Sequence, residues 1–268
     1  MSHVNSLNAN SSEKKAMASS LSKMLSILNL YDEAHPARTA EEICSGLELT
    51  ASSGYRYIRE LCAAGLLTRA NGGAYMLGIR IVELEYVMRT ADPIGRLGLS
   101  VVKQLAMTTG CDALLSNYHG VHIVNIVHER GTEMLNATYI RGKPHPLFRG
   151  AVAKSILPFL GRAQLVKIYR AHRAEVAQAG MGQTWLEFWR HLQVIHKAGF
   201  SESQGELDPD VFGLGVPVFV NGAVVGSITA AFSRQRSKML NRDGVVEQLQ
   251  SASQKLTTEL ERLNDTGQ

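Results

Sequence analysis

Residues 39–77 read TAEEICSGLELTASSGYRYIRELCAAGLLTRANGGAYML. Thr39 is a good N-cap, and Glu42 three residues on completes a capping box. Ile43 and Leu47 recur at helical spacing, and Gly46 suits the end of that helix. Thr50 or Ser52 then caps a second helix. Tyr57, Ile58, Leu61 and Leu66 supply its apolar side, and Gly65 fits its C-terminal position. Residues 66–69 read as a strand, Asn71-Gly72-Gly73 as a tight turn and residues 74–77 as the return strand. Upstream, Leu21, Met24, Leu25, Leu28 and Leu30 fit one amphipathic helix.

Three helices followed by a hairpin predict a winged helix-turn-helix over residues 19–78. The exposed side of the helix that Thr50 or Ser52 caps carries Thr50, Ser52, Ser53, Tyr55, Arg56 and Arg59, and the hairpin adds Arg69 and Asn71. These residue types suit double-stranded DNA. Arg makes bidentate contacts to guanine or phosphate, and Ser and Thr near a helix start bond phosphate oxygens. The charge balance adds little: residues 1–80 hold eight Lys and Arg against seven Asp and Glu.

At 268 residues the chain is long enough for two domains, and 45% hydrophobic residues support real cores. Its formal net charge is +4, which is compatible with a nucleic-acid partner without requiring one. Residues 1–18 are polar with no apolar core segment, so they read as a disordered arm rather than a signal peptide. No run approaches the apolar length of a membrane span. Cys44, Cys62 and Cys111 are odd in number and far apart, which speaks against a disulfide framework or a zinc pair. The expectation is a cytoplasmic chain with no membrane partner, no metal and no cofactor.

Residues 79–93 read as a linker helix punctuated by Asp92-Pro93, of the kind that pairs across a two-fold axis so that two reading heads meet a near-palindromic operator. A further helix runs from Ile94 to Thr108 and stops at Gly110. Beyond it the pattern mixes strands and helices. Residues 113–118 and 121–127 form a hairpin around His119-Gly120, and residues 135–140 suggest a third strand. Residues 150–160 read as one helix rich in small side chains. Thr184 and Glu187 form another capping box, and Asn221-Gly222 joins strands 213–220 and 224–232. Residues 242–263 close the chain as an amphipathic helix. Strands paired as hairpins and interspersed with helices predict an α+β domain with an antiparallel sheet over residues 94–264.

Residues 141–173 hold eight Lys and Arg and no Asp or Glu. Arg149 beside the small-residue helix start Gly150, Ala151 and Val152 suits a carboxylate, which places an organic-acid effector, aromatic acids included, near these four residues. The remaining contacts would come from Ser203, Gly213, Ser227 and Thr229 on the strands. Catalytic signatures are missing: there is no Gly-x-Ser-x-Gly, no Walker loop and no His-Glu-x-x-His. His122 and His128 would share one strand face but lack a third metal ligand. They read as packed or surface histidines, and Met24, Met76, Met88 and Met107 as core filler. No catalytic residue is assigned. The competing class is a small-molecule enzyme or sensor whose helical adaptor does not touch DNA.

Several segments together resemble the IclR family of bacterial transcription regulators, over residues 20–263. SLSKMLSILNLYDE, the 39–77 stretch and its closing AYMLG resemble that family's DNA-binding domain. RGKPHPLFRGAVAKSILPFL resembles the loop and helix ahead of its ligand pocket, and GFSESQGELDPDVFGLGVPVFVNGAVVGSITAAF its second signature. The resemblance implies a GAF-like effector domain, homodimers or homotetramers, and control of catabolic or transport genes. The chain departs from the family pattern at Ala153-Lys154 (commonly Gly-Lys), at Arg149 (commonly small), at Gly205-Glu206 (commonly paired carboxylates) and at Gly213 (a cysteine in one branch).

Overall fold

The computed structural model of the protein describes residues 19–266 apart from 134, 136, 137 and 139. The N-terminal arm expected at 1–18 lies outside the described residues, as do residues 136, 137 and 139 of the strand expected at 135–140, whose described residues 135, 138 and 140 are not in a strand. Among the described residues, no helix is long and apolar enough to cross a membrane. The chain divides into two compact units, one ending at Ala91 and the other beginning at Asp92.

The first unit opens with α1 (Ser20–Ser26), which tightens into a 3₁₀ turn over Ile27–Leu30. Next come β1 (Ala37–Arg38), α2 (Ala40–Gly46), α3 (Ala51–Ala63), β2 (Leu67–Arg69), β3 (Tyr75–Leu77) and α4 (Arg80–Ala91). The local chemistry drives these boundaries. Thr39 accepts from the Glu42 N–H while the Glu42 carboxylate accepts from the Thr39 N–H, so the capping box forms in full. Thr50, not Ser52, caps α3. Gly54 lies in α3 where a Cβ would fall 2.1 Å from Cys44 Sγ, so only glycine lets α2 and α3 approach this closely. Ile27, Ile43, Ile58, Leu61 and Leu67 form the buried core. The hairpin gains β1 on its outer side, giving sheet order β1-β3-β2. A two-residue strand has too little pattern to be read from sequence.

The second unit is built on a five-stranded antiparallel sheet in the order β5-β4-β8-β7-β6. It comprises α5 (Pro93–Thr109), β4 (Asp112–His119), β5 (His122–Glu129), α6 (Gly150–Ile156), α7 (Arg162–Ala171), α8 (Arg173–Gln178), α9 (Trp185–Ala198), β6 (Ser201–Gln204), β7 (Val211–Val220), β8 (Ala223–Ser233), α10 (Arg234–Ser237) and α11 (Arg242–Thr266). Asp92 caps α5 through the Ile94 and Gly95 N–H groups. Asn221 and Gly222 both adopt positive φ in the β7–β8 turn, as a two-residue hairpin loop demands. The helix expected over 150–160 stops at Ile156 and continues as a 3₁₀ turn through Pro158, because proline has no N–H to extend the α ladder. Helices α7 and α8 fall in a stretch for which no element is expected from local pattern.

Alternation along the central strands sorts side chains onto two faces. Phe212, Leu214, Val216 and Val218 of β7, with Ile228, Ala230 and Phe232 of β8, pack in one core with α5 and α11 residues such as Val102, Leu105, Leu249 and Leu256. The opposite residues of these strands are small: Gly213 and Gly215 on β7, Ser227, Thr229 and Ala231 on β8. There α6 sits close, so that a Cβ on Gly215 would fall 2.9 Å from the Ala151 carbonyl oxygen. A second core of Val152, Ile156, Leu157, Leu165, Phe188 and Leu192 lies with α6 to α9.

A bulge corrects one expectation. Leu115 pairs with Val127 but Ser116 pairs with Asn125, so Ile126 is extra on β5. Strict alternation would put His122 and His128 on one face; the inserted residue puts them on opposite faces. His128, opposite Leu114, joins the α6 side of the sheet. Met76, Met88 and Met107, expected as filler, are 42%, 63% and 77% exposed.

Candidate functional sites

On the α6 side of the sheet, two adjacent rows of the register form the floor of a cavity. One row is Asp112, Ala231, Gly213 and Ser203; the next includes His128, Leu114 and Thr229. Ala151 and Val152 of α6, His145, and Glu206, Leu207, Asp208 and Val211 complete the wall of a cavity of about 60 Å³. The small floor residues leave this space.

Its charged groups are internally engaged. Asp112 is 3% exposed, and its carboxylate accepts from the Gly131 N–H at 2.8 Å and faces His128 Nε2 at 3.2 Å. Such contacts are what a buried carboxylate needs. Asp208 accepts from the Thr138 N–H at 2.9 Å and from the Thr138 hydroxyl. Glu206 accepts from the Gly150 N–H at 2.9 Å and pairs with the Lys154 ammonium. Burial pulls the His145 imidazole down to about 4, so it is neutral across the physiological range. Burial likewise pushes the Cys111 thiol up to about 11, which leaves it without thiolate character near neutral pH.

Of the effector residues expected from sequence, Ala151, Val152, Ser203, Gly213 and Thr229 line the cavity. Arg149, Gly150 and Ser227 do not. Arg149 is exposed, and its guanidinium donates to the Glu206 backbone carbonyl. The Gly150 N–H, expected to face a ligand, is occupied by Glu206. Ser227 is buried in a hydroxyl chain in which Ser155 Oγ donates to it at 2.7 Å and Thr229 Oγ1 lies 3.2 Å away. The other cations near the helix start, Arg141, Lys143 and Lys154, are also outside the cavity wall, Lys154 lying behind Glu206, with which it pairs. Sequence reasoning missed Asp112, His128, His145, Glu206 and Asp208. One signal was present: Asp112 is a carboxylate at the head of an apolar strand, DALL. Among the described residues, no group of three or more His, Cys, Asp or Glu is placed to hold a metal ion.

In the N-terminal unit, residues at helical spacing on one face of α3 (Ser52, Tyr55, Arg56, Arg59 and Cys62) join Arg69 and Tyr75 around a concave surface. Arg56 is exposed, with its guanidinium 5.2 Å from the Tyr57 ring centroid. Arg59 reaches its neighbour Glu60 at 3.3 Å, and the Tyr55 hydroxyl donates to Glu41 at 3.3 Å. Arg69 lies over the Tyr75 ring. Thr50 and Ser53 are outside this concavity, bonded to one another at the start of α3. Asn71 is exposed in the turn between β2 and β3.

Comparison with known proteins bears on both units. The family model for the C-terminal part of the bacterial transcriptional regulator IclR matches residues 90–258. The HTH-type transcriptional regulator KipR of Bacillus subtilis is 26% identical over 223 residues, covering 80% of this chain and 88% of KipR. Among solved structures, an IclR-type regulator from Silicibacter sp. TM1040 superposes with a TM-score of 0.76 at 20% identity, over 90% of this chain and 96% of that one. An IclR homologue from Microbacterium hydrocarbonoxydans, solved with 4-hydroxybenzoate, gives a TM-score of 0.72 at 19% identity over 91% of this chain and 100% of that one. At these identities the structural likeness speaks for the fold alone, but the family model spans more than half of the chain. The chain belongs to the IclR family of bacterial transcription regulators.

Proposed function

We propose that this regulator reads operator DNA with its N-terminal unit and answers to a small organic acid bound in its C-terminal unit. The observation that carries the DNA reading is the concave surface where the exposed face of α3 meets Arg69. In this reading the unit is a winged helix-turn-helix: α3 enters the major groove and the β2–β3 hairpin is the wing. Arg56, Arg59 and Arg69 supply the cations that phosphates and guanine edges require, Ser52 and Tyr55 add hydroxyls, and Thr50, Ser53 and Asn71 flank them. The C-terminal unit is read as a GAF-like effector domain, with its ligand on the α6 face of the sheet. The 4-hydroxybenzoate carried by the Microbacterium relative supports an aromatic acid as a ligand class, and control of catabolic or transport genes accords with such a ligand. DNA as the partner makes the cytoplasm the place of action.

The test is a mobility shift with the DNA upstream of the chain's own coding region, run with and without a panel of aromatic carboxylates at fixed salt. A specific shift that one acid strengthens or weakens is expected. An adaptor or enzyme reading would be favoured instead by a folded protein with no preference for that DNA over random sequence.

A dimer is part of the reading. On α4, Val82, Tyr86, Val87 and Met88 are 58–63% exposed, and no residue of this helix is buried. Exposed apolar side chains gathered on one helix mark an interaction surface, and paired reading heads on a near-palindromic operator fit a second copy of the chain. Sedimentation at micromolar concentration is expected to show a dimer or a tetramer, and Val87→Glu to shift it towards monomer. A wild-type monomer with and without DNA contradicts the proposal.

A further inference from the structure

The segment Gly205–Asp210 between β6 and β7 roofs the cavity. Leu207 lies over Gly150, where a Cβ would fall 2.7 Å from the leucine Cδ1. Asp208 is tied to Thr138, the Glu206 backbone carbonyl to Arg149, and the Glu206 side chain to both Lys154 and the Gly150 N–H. At its two ends the segment is closed on itself, the Gly205 N–H donating to the Val211 carbonyl at 2.9 Å and the Val211 N–H to the Asp208 carbonyl at 3.0 Å. The Lys154 side chain is 12% exposed and that of Glu206 26%, so this ion pair is poorly reached by water. The space beneath measures about 60 Å³, whereas sites for small organic ligands run to about 300–1,000 Å³. The cavity as it stands is too small for an aromatic acid.

Two features of the same place fit together. The positive and hydrogen-bonding groups that a ligand carboxylate would seek, the Lys154 ammonium and the Gly150 N–H, already hold a carboxylate, and that carboxylate belongs to the roof. We propose that Gly205–Asp210 is a latched lid and that the Glu206 carboxylate is an internal competitor, which an acid ligand displaces from Lys154 as the lid opens. The proposal rests on the reading of this cavity as the effector site. It gives that site a built-in means of response, because the ligand-free and liganded states differ in what Lys154 pairs with and in where residues 205–210 lie. A ligand shifts an equilibrium only by its differential affinity for the two states, and the exchange of one carboxylate for another at Lys154 supplies such a difference. It also sets the ligand class: a monocarboxylate, whose acid group takes the place of Glu206 and whose apolar body occupies the volume that Leu207 vacates.

The experiment uses the full chain, Glu206→Gln and Glu206→Ala, with benzoate as the probe. Hydrogen exchange without ligand reads the latch alone: amides of 205–210 are expected to exchange at least about ten-fold faster in both variants, because a charge-assisted pair is lost. Unchanged exchange overturns the latch whatever the ligand does. Calorimetry reads the competition: benzoate is expected to bind both variants about ten-fold or more tightly than wild type, while Lys154→Met loses binding. Equal or weaker binding to the Glu206 variants overturns the competitor role. Faster lid exchange combined with no benzoate binding by any variant instead removes the organic-acid reading of the cavity, and the competitor role with it, while leaving the latch.

Discussion

Replacing Arg56 by alanine is expected to weaken operator binding by about 1–3 kcal/mol, roughly five- to 150-fold, with the fold intact. The side chain is exposed on α3 and contributes nothing to the buried set of Ile27, Ile43, Ile58 and Leu61. Its truncation therefore has little to act on except a partner. Arg56 and Arg59 are not equivalent. Arg59 spends part of its donor capacity on Glu60 at 3.3 Å, whereas the guanidinium of Arg56 lies over the Tyr57 ring at 5.2 Å, a cation–π contact that limits the rotamer freedom lost on binding. Arg56→Lys sharpens the measurement. It keeps the charge and the phosphate attraction but loses the planar fork, so it should retain nonspecific affinity and lose discrimination between operator and random DNA. Fluorescence anisotropy at one fixed salt concentration reads both, and circular dichroism checks the fold. Operator affinity unchanged in a folded Arg56→Ala protein means that α3 does not read bases through this residue.

What was legible in the sequence and what was not divide along the reach of the interactions. The capping boxes at Thr39/Glu42 and Thr184/Glu187 form as read, because each joins atoms three residues apart. The Asn221-Gly222 turn is equally local. The concave face of α3 could be drawn from a helical wheel, since Ser52, Tyr55, Arg56 and Arg59 recur at one helical period. The cavity is different. Its polar wall brings together Asp112, His145 and Glu206 from three distant segments, and no spacing rule connects them. The bulge at Ile126 turns His128 to the opposite face from His122, and one inserted residue in a strand leaves no mark that alternation can detect. The small-residue helix start was read as a ligand's seat from its composition. That composition also serves packing, for Ala151 lies against Gly213 and its carbonyl accepts from Ser201 at 2.6 Å. The occupant of the Gly150 N–H turned out to be Glu206, a residue fifty-six positions away.

Filling the cavity from its floor should remove the ligand response and leave the rest of the protein working. Ala231 is the position for this. It sits on β8 between Asp112 and Gly213, 8% exposed, with its side chain on the cavity wall. Ala231→Val adds two methyl groups to a space of about 60 Å³, and valine is at home in a strand. The added carbons gain roughly 0.8 kcal/mol each if they fit and cost about 1–3 kcal/mol if they overpack, so stability without ligand should change by no more than a few kcal/mol. Gly213 is a poorer choice, because a Cβ there already meets Ser203 Oγ at 3.0 Å and Ala151 Cβ at 3.3 Å. In the wild type, an acid at a hundred times its Kd should stabilise the protein by about 2.7 kcal/mol, which in a unit of this size raises the unfolding temperature by roughly 5–10 °C. In Ala231→Val that shift should vanish, while operator binding without ligand stays at the wild-type level, since the substitution touches nothing in the N-terminal unit. Thermal unfolding with and without the acid, paired with operator titrations, separates the outcomes. A full thermal shift in the filled variant places the ligand elsewhere, and a loss of operator binding without ligand means that the floor of the cavity helps to set the DNA-competent state.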